Sequence, residues 1–167
     1  MKFYPASFKL TPSGDREILI ERDFDAPRPV VFEAFTKPDL VRQWLLGPDG
    51  WTMPVCEIDL RVGGRYRYVW RKEDSGEEMG MGGVFREVVR PERLVATEQF
   101  DQSWYPGEAV DTTLFEAHGD TTRVRMTVLY QSREARDTAT RSGMEHGIVA
   151  GYDRLERLLS ALLPAQK

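Results

Sequence analysis

Cysteine and histidine are almost absent from this sequence. Cys56 is the single cysteine, so no disulfide can form within the chain and a zinc site built on cysteines is excluded. The two histidines, His118 and His146, are too few for a convincing set of metal ligands. Phosphate-binding loops, dinucleotide fingerprints and nucleophile elbows are also missing. We therefore expect neither a metal nor another cofactor.

Long apolar runs and an excess of basic residues are missing as well. No segment approaches the roughly 20 apolar residues that span a bilayer, and residues 1–15 lack the apolar centre of a signal peptide. The net charge of −4 argues against nonspecific nucleic-acid binding, which needs a basic face. These absences predict a cytoplasmic protein with no membrane insertion and no nucleic-acid partner.

The residues that are present have the pattern of one α+β domain. The chain has 167 residues, enough to bury roughly 70% of the surface of its extended form. Residues 1–15 mix aromatic residues with prolines and a glycine. We interpret them as an N-terminal extension that packs onto the domain or pairs as a short edge strand. The domain itself is expected to cover residues 16–167.

Periodicity and turn residues predict the order of secondary structure. Residues 16–24 alternate apolar and charged side chains, as a strand does. Two short helices follow, and six further strands lie between residues 53 and 131, separated by turn residues. The hairpin-length connections predict a seven-stranded antiparallel sheet, because parallel neighbours need crossovers of a dozen residues or more. Residues 142–163 are expected to form a long helix.

This C-terminal segment has two different halves. Its apolar residues at helical spacing are Met144, Ile148, Tyr152, Leu155, Leu159 and Leu162. Beside them Gly143, Gly147 and Gly151 recur every four residues. Each interior glycine costs about 1 kcal/mol relative to alanine, so either another element approaches closely or a space is kept open. We predict tight packing of the leucines, including Leu158 and Leu162, and empty or ligand-filled space beside Gly147 and Gly151.

One predicted strand has an aromatic face. Tyr66, Tyr68 and Trp70 alternate with arginines, so this face of the sheet needs a cover. The long helix is the element large enough to provide it. We infer a pocket between the aromatic face and the glycine-bearing half of the helix. Three glycines are expected to widen this pocket on the sheet side: Gly80, Gly82 and Gly83.

Four stretches carry a family resemblance: WLLGP at 44–48, EIDLRVGGRY at 57–66, PERLV at 91–95 and GMEHG at 143–147. They are similar to the W-x-G-P signature, the E-x-D-x-R-x-G-G-x-[FY] turn, the P-E-R-L-V strand opening and the G-M-x-x-G final helix of the activator-of-heat-shock-protein-90-ATPase homologue group. That group belongs to the START-like superfamily. The resemblance covers about residues 16–163. It implies a helix-grip fold, in which a curved antiparallel sheet holds a long helix around a hydrophobic cavity.

Glu98 departs from the family pattern, which often has a large aromatic residue there. If Leu94, Ala96, Glu98 and Phe100 face inward, a carboxylate enters the cavity as a polar anchor or a general acid/base. In the opposite register Glu98 is a surface charge, because a shift of one residue exchanges the two faces. The sequence is compatible with both registers.

Other polar residues are interpreted as structural. His146 lies off the apolar face of the helix and is expected to be half exposed. Asp59 and Arg61 precede a Gly-Gly turn and are expected to support it. Cys56 is expected to be a small, buried, apolar residue.

Three functions stand as hypotheses, and the first is favoured. The leading one is non-catalytic binding of a small hydrophobic or aromatic ligand in the cavity. The second is an enzyme of the polyketide-cyclase, aromatase or hydrolase kind that uses a cavity carboxylate. The third is a co-chaperone that stimulates a heat-shock ATPase, as the family name suggests. Because the eukaryotic activators have a further N-terminal domain for which 167 residues leave no room, chaperone binding is not expected.

The candidate ligand-binding residues share the predicted cavity. They are Trp44, Tyr66, Tyr68, Trp70, Met81, Glu98, Met144, Gly147, Ile148, Gly151 and Tyr152. The expected partner is a small hydrophobic molecule, and a homodimer is compatible with the sequence. No residue is assigned a catalytic role.

Overall fold

The computed structural model describes residues 7–103, 105 and 107–163. Within these residues the chain forms eight strands and four helices. In chain order they are β1 (Lys9–Ser13), β2 (Glu17–Phe24), α1 (Arg28–Thr36), α2 (Pro38–Trp44), β3 (Trp51–Ile58), β4 (Arg65–Lys72), β5 (Glu78–Val89), β6 (Arg93–Phe100), β7 (Ala109–His118), β8 (Thr121–Leu129), α3 (Arg133–Thr140) and α4 (Met144–Leu162). Among the helices of this described part, none combines the length and the apolar composition that a membrane span requires.

The strands form one antiparallel sheet in the order β1-β2-β8-β7-β6-β5-β4-β3. Every neighbouring pair along that order is antiparallel. The two short helices connect β2 to β3, which lie on opposite sides of the sheet. β3 forms one edge, and only β1 separates β2 from the other edge. After β8 the chain forms α3 and then α4. The predicted α+β helix-grip fold is confirmed.

The predicted number of strands is wrong by one, because the N-terminal extension contributes a strand of its own. Residues 9–13 pair with residues 17–21 of β2, so the sheet has eight strands rather than seven. The turn between them uses Gly14 at a φ of 56°, which glycine adopts without strain. Pro12 lies on this edge strand, where a missing N–H leaves no gap in the sheet. Two aromatic residues of the predicted extension, Phe3 and Tyr4, lie outside the described residues.

Two hydrophobic clusters fill the space inside the sheet. The larger one joins β2, β7 and β8 to α1 and α4, and includes Ile18, Phe24, Phe115 and Leu155. The smaller one joins β3, β4 and β5 to α2, and includes Tyr66, Tyr68 and Trp70. The predicted aromatic face of β4 therefore points inward, and its arginines point outward.

The C-terminal half of α4 packs closely, with one exception to the prediction. Leu155 and Leu159 are completely buried, and Leu158 is half-buried. Leu162 is 44% exposed, so its predicted tight packing is wrong. It lies in the last turn of the helix, where solvent reaches the side chain.

A buried ion pair joins the same half of the helix to the sheet. Arg22 of β2 is 1% exposed, and its Nη1 donates to Oδ1 of Asp153 at 2.8 Å. Its guanidinium also lies over the ring of Phe24, 5.3 Å from the ring centre. Glu156, one turn further along α4, is buried as well, and burial raises its pKa. A buried cation of this kind is retained because an acidic partner offsets its desolvation.

Candidate ligand-binding site

A cavity of about 520 Å³ lies between the N-terminal half of α4 and the inner face of the sheet. Its lining combines α2 and the following loop, the inward residues of β4 to β8, and the start of α4. Both hydrophobic clusters contribute to its walls, so the cavity occupies the gap between them. A volume of this size is typical of small-molecule sites.

All eleven candidate residues from the sequence line this cavity. They are Trp44, Tyr66, Tyr68, Trp70, Met81, Glu98, Met144, Gly147, Ile148, Gly151 and Tyr152. Periodicity predicted that these residues face the interior, because an alternating strand and an amphipathic helix each present one side to the core. That they bind a ligand stays a prediction.

Hydrogen bonds at the polar tips hold three of the aromatic walls in place. The indole N–H of Trp44 donates to the carbonyl of Ala34 at 2.9 Å, and that of Trp70 donates to the carbonyl of Leu45 at 2.7 Å. The hydroxyl of Tyr66 donates to the carbonyl of Thr97 at 2.6 Å. Because these polar groups are already satisfied, the rings offer apolar surface to the cavity.

The structure places Glu98 on the inward register. Leu94, Ala96, Glu98 and Phe100 of β6 all line the cavity. The hydroxyl of Tyr105 donates to Oε2 of Glu98 at 3.1 Å. Of the two registers compatible with the sequence, the one that directs this carboxylate into the cavity is therefore correct.

A second carboxyl group, which the sequence analysis did not identify, lies beside the first. Asp111 of β7 stands opposite Ala96 of β6 and therefore shares the inward face with Glu98. Burial, and then the charge and a hydrogen bond of Glu98, raise the pKa of Asp111 well above its ordinary value. Two carboxyl groups hydrogen-bond only when one of them holds a proton, so the pair shares a proton.

Two tyrosines complete this polar end of the cavity, and they too were missed. Tyr105 and Tyr130 meet edge to face, with ring centres 5.1 Å apart. Burial raises the pKa of both hydroxyls, and the charge of Glu98 raises them further. Both therefore remain protonated at neutral pH, and that of Tyr105 donates to Glu98. We call Glu98, Asp111, Tyr105 and Tyr130 the polar end.

The alternation of β7 carried a signal for Asp111. Ala109 and Phe115 are completely buried or nearly so, and Asp111 and Thr113 have the same parity in this strand. Side chains two residues apart lie on one face, so the aspartate could have been assigned to the interior. Tyr105 lies in a loop, where no periodicity indicates which way a side chain points.

The glycines of α4 were predicted to leave open space beside the helix, but they serve mainly for close approach to neighbouring residues. A Cβ on Gly147 would lie 3.5 Å from Cδ of Pro48, and one on Gly151 would lie 3.2 Å from the carbonyl oxygen of Trp44. These glycines border the cavity, but their missing side chains let α4 approach α2 and the loop after it. Arg154 strengthens this contact by donating to the carbonyl of Gly47 at 2.7 Å.

The glycines of β5 also serve close approach rather than a wider pocket. A Cβ on Gly82 would lie 2.9 Å from the carbonyl oxygen of Tyr66, and one on Gly83 would collide with the carbonyl of Thr97. A Cβ on Gly80 would collide with the carboxylate of Asp101. The expectation that these glycines widen the cavity is therefore wrong.

The remaining polar candidates lie away from the cavity. His146 is exposed, and Arg61 pairs with Asp59 on the surface at 2.9 Å. Cys56 is buried, and burial raises the pKa of its thiol to about 11, so it stays an unreactive thiol at neutral pH. Within the described residues, no group of three acidic, histidine or cysteine side chains is arranged to hold a metal ion.

A second depression, of about 680 Å³, lies on the outer face of β4, β5 and β6. It is open, and two of its charged residues pair with each other. Arg67 donates two hydrogen bonds to the carboxylate of Asp101, at 2.7 and 2.6 Å. The smaller cavity inside the sheet is the better candidate site, because its polar groups face apolar walls instead of solvent.

A gripped helix, a curved antiparallel sheet and a cavity between them define a helix-grip protein. The chain belongs to the family of Activator of Hsp90 ATPase homolog 1-like proteins, which it matches over residues 25–160. No curated protein matches the chain.

Solved structures share the fold over nearly the whole chain. A protein from Rhodobacter sphaeroides is 29% identical, covers 93% of this chain and 99% of its own, and superimposes with a TM-score of 0.87. A protein from Nitrosomonas europaea is 24% identical, with 90% and 99% covered and a TM-score of 0.77. An AHSA1-like protein from Aeromonas hydrophila is 19% identical, with 90% and 99% covered and a TM-score of 0.72.

Proposed function

We propose that this protein binds a small hydrophobic or aromatic molecule in the cavity between α4 and the sheet. The observation that carries the proposal is the composition of the lining. Most of it is aliphatic or aromatic, and polar groups are concentrated at one end. Burial of a ligand's apolar surface against such walls is worth about 25 cal/mol per Å².

The rigidity of the walls supports binding of a flat molecule. Tyr66 and Tyr68 lie with ring centres 5.1 Å apart, and Tyr68 and Trp70 lie 5.8 Å apart. This continuous aromatic surface is held in place by the hydrogen bonds of Tyr66 and Trp70. A preorganised wall loses little side-chain entropy when a ligand stacks on it.

Binding of a fluorescent probe tests the proposal. N-phenyl-1-naphthylamine, an uncharged aromatic molecule whose emission rises in apolar surroundings, should bind the wild-type protein with stoichiometry near one. Ala96→Phe adds a ring inside the cavity, because Ala96 lines it. We expect this variant to lose most of the probe's emission.

The matched control adds the same ring to the other face of the same strand. Gln99 is exposed on β6, so Gln99→Phe should leave probe binding unchanged. Circular dichroism establishes that both variants fold. The proposal is contradicted if Ala96→Phe is folded and binds the probe as well as the wild type, or if the wild type binds no probe.

Glu98 favours one alternative, an enzyme of the cyclase or hydrolase kind. A carboxyl pair that shares a proton beside a tyrosine hydroxyl has the composition of a general acid/base. A turnover assay with Glu98→Gln separates the two functions, since binding survives the loss of a catalytic proton donor and turnover does not. The co-chaperone alternative rests on the family name alone, because a shared fold does not determine a partner.

A further inference from the structure

The charges that face the cavity are all of one sign. Within the described residues, its lining includes two carboxyl groups, those of Glu98 and Asp111, and no lysine, arginine or histidine. The causes that raise the pKa of Asp111 include no cation. The buried Arg22 does not line the cavity, and its charge is matched by Asp153.

A carboxyl pair that lines an apolar cavity without a cation is an unusual arrangement. Oδ1 of Asp111 is buried, and apart from Glu98 no group among the described residues offers it a hydrogen bond. When the two carboxyl groups share one proton, the pair carries one negative charge. An isolated charge in apolar surroundings is costly, and proteins normally offset it with a charged or hydrogen-bonded partner. Among the described residues that line the cavity, none supplies a positive charge.

Aromatic rings surround this charge. The pKa values of Tyr66, Tyr105 and Tyr130 are all raised, after burial, by the charges of Glu98 and Asp111, which puts the three tyrosines close to the pair. A positively charged group at the polar end would thus meet carboxylate oxygens in aromatic surroundings, while an anionic group would meet like charge.

We propose that the ligand of this cavity is a hydrophobic amine, whose protonated nitrogen lies against Glu98 and Asp111 and whose apolar body contacts the aromatic walls. This inference rests on the proposed function, because it specifies the chemical class of the molecule bound there. The bound nitrogen supplies the positive charge that the cavity lining lacks. The roughly 520 Å³ available leaves room for an apolar body of two or more fused rings.

Three probes of nearly equal shape test the assignment by calorimetric titration. They are 1-naphthylmethylamine, which is cationic at pH 7, 1-naphthylmethanol, which is neutral, and 1-naphthoic acid, which is anionic. We expect the amine to bind at least about tenfold more tightly than the alcohol, the equivalent of one hydrogen bond to a charged group. The acid should bind more weakly than the alcohol.

The double variant Glu98→Gln/Asp111→Asn removes the charge without removing the shape, whereas either single variant leaves one carboxyl group that can still carry it. The double variant should reduce the advantage of the amine over the alcohol to about twofold or less, while the affinity for the alcohol stays within about twofold of the wild type. Retained alcohol binding also demonstrates that the double variant is folded. Glu57→Gln changes the charge equally on the outer face, where Glu57 is exposed, and should leave the amine's advantage intact.

The outcomes separate this inference from the proposed function. Equal binding of amine and alcohol, or tighter binding of the acid, overturns the inference and leaves the cavity as a binding site. An advantage of the amine that survives in the double variant Glu98→Gln/Asp111→Asn also overturns it. If N-phenyl-1-naphthylamine and all three naphthyl probes fail to bind the wild type, the proposed function falls and the inference falls with it.

Discussion

The two halves of α4 have different surroundings, although they belong to one continuous helix. In the C-terminal half, Leu155 and Leu159 are completely buried in the larger hydrophobic cluster. In the N-terminal half, Met144 and Ile148 are half-buried and border the cavity. Tyr152 lies between the two halves and contacts both Phe24 and Trp44. The helix is therefore held by one half, and the other half is left free to line a site.

The same division holds for buried charge. Beneath the C-terminal half, the cation of Arg22 is matched by Asp153. At the cavity, Glu98 and Asp111 share one face without a cation. An ion pair therefore lies where α4 packs against the sheet, and a carboxyl pair without a cation lies where the sheet borders the cavity. Folding stability and ligand recognition thus depend on different residues, and this separation can be tested.

Leucine truncation is expected to have the largest effect. Leu159→Ala should lower the free energy of unfolding by about 2–5 kcal/mol, because it removes a fully buried side chain and leaves a new hole. Ile148→Ala should cost about 1 kcal/mol, since this half-buried side chain already borders a cavity and its loss creates little new void. Urea denaturation measures both values.

Probe binding sharpens the same comparison. Leu159→Ala should bind N-phenyl-1-naphthylamine normally under conditions where it is folded, and Ile148→Ala should bind it more weakly. Equal destabilisation by the two changes would mean that α4 is packed evenly along its length, and the division into two halves would be wrong.

Replacement of Asp111 is expected to have a smaller effect that depends on pH. Because the pKa of Asp111 is raised above 3.8 in the folded state, its protonated form stabilises the fold below that pH, and the contribution is lost as pH rises. Asp111→Asn does not titrate. It should therefore be more stable than the wild type at pH 7. The difference should shrink as pH falls towards 3.8.

Asp101→Asn is the matched control with the opposite sign. In the wild type, the hydrogen bonds that Arg67 donates lower the pKa of Asp101 below 3.8. The contribution of Asp101 to stability is therefore present above pH 3.8 and is lost as pH falls. This variant should be no more stable than the wild type at pH 7. If Asp111→Asn is less stable than the wild type at neutral pH, the carboxyl pair is not an unfavourable buried charge.

Much of the cavity wall could be predicted from local patterns. The alternation of Tyr66, Tyr68 and Trp70 and the helical spacing of Met144 and Ile148 each place one side of an element towards the interior. These patterns need no knowledge of neighbouring elements. Most of the eleven candidate residues could be assigned to the cavity for this reason.

The polar end and the buried ion pair depend on tertiary neighbours. Asp111 becomes unusual only because strand pairing sets it beside Glu98, and Tyr105 reaches Glu98 from a loop. Arg22 has the inward parity of Ile18 and Phe24 in the alternation of β2, but nothing in the sequence indicates that Asp153 of α4 is its partner. A single sequence carries no information about pairs so far apart along the chain.

The glycines of α4 show the same limit, and they provide the prediction with the smallest effect. A Cβ on Gly147 would make ordinary contacts of 3.5 and 3.6 Å with Pro48 and Gly47, whereas one on Gly151 would press on the Trp44 carbonyl at 3.2 Å. Gly147→Ala should therefore raise the free energy of unfolding by up to about 1 kcal/mol, because alanine has the higher helix propensity. Gly151→Ala should raise it by less, or lower it by a few tenths of a kcal/mol, because the Trp44 carbonyl must shift to accommodate the methyl group. Thermal denaturation of the two variants side by side measures the difference. If both variants gain equally and both reduce probe binding, the glycines face open space, and the close approach of α4 to α2 is not what these positions require.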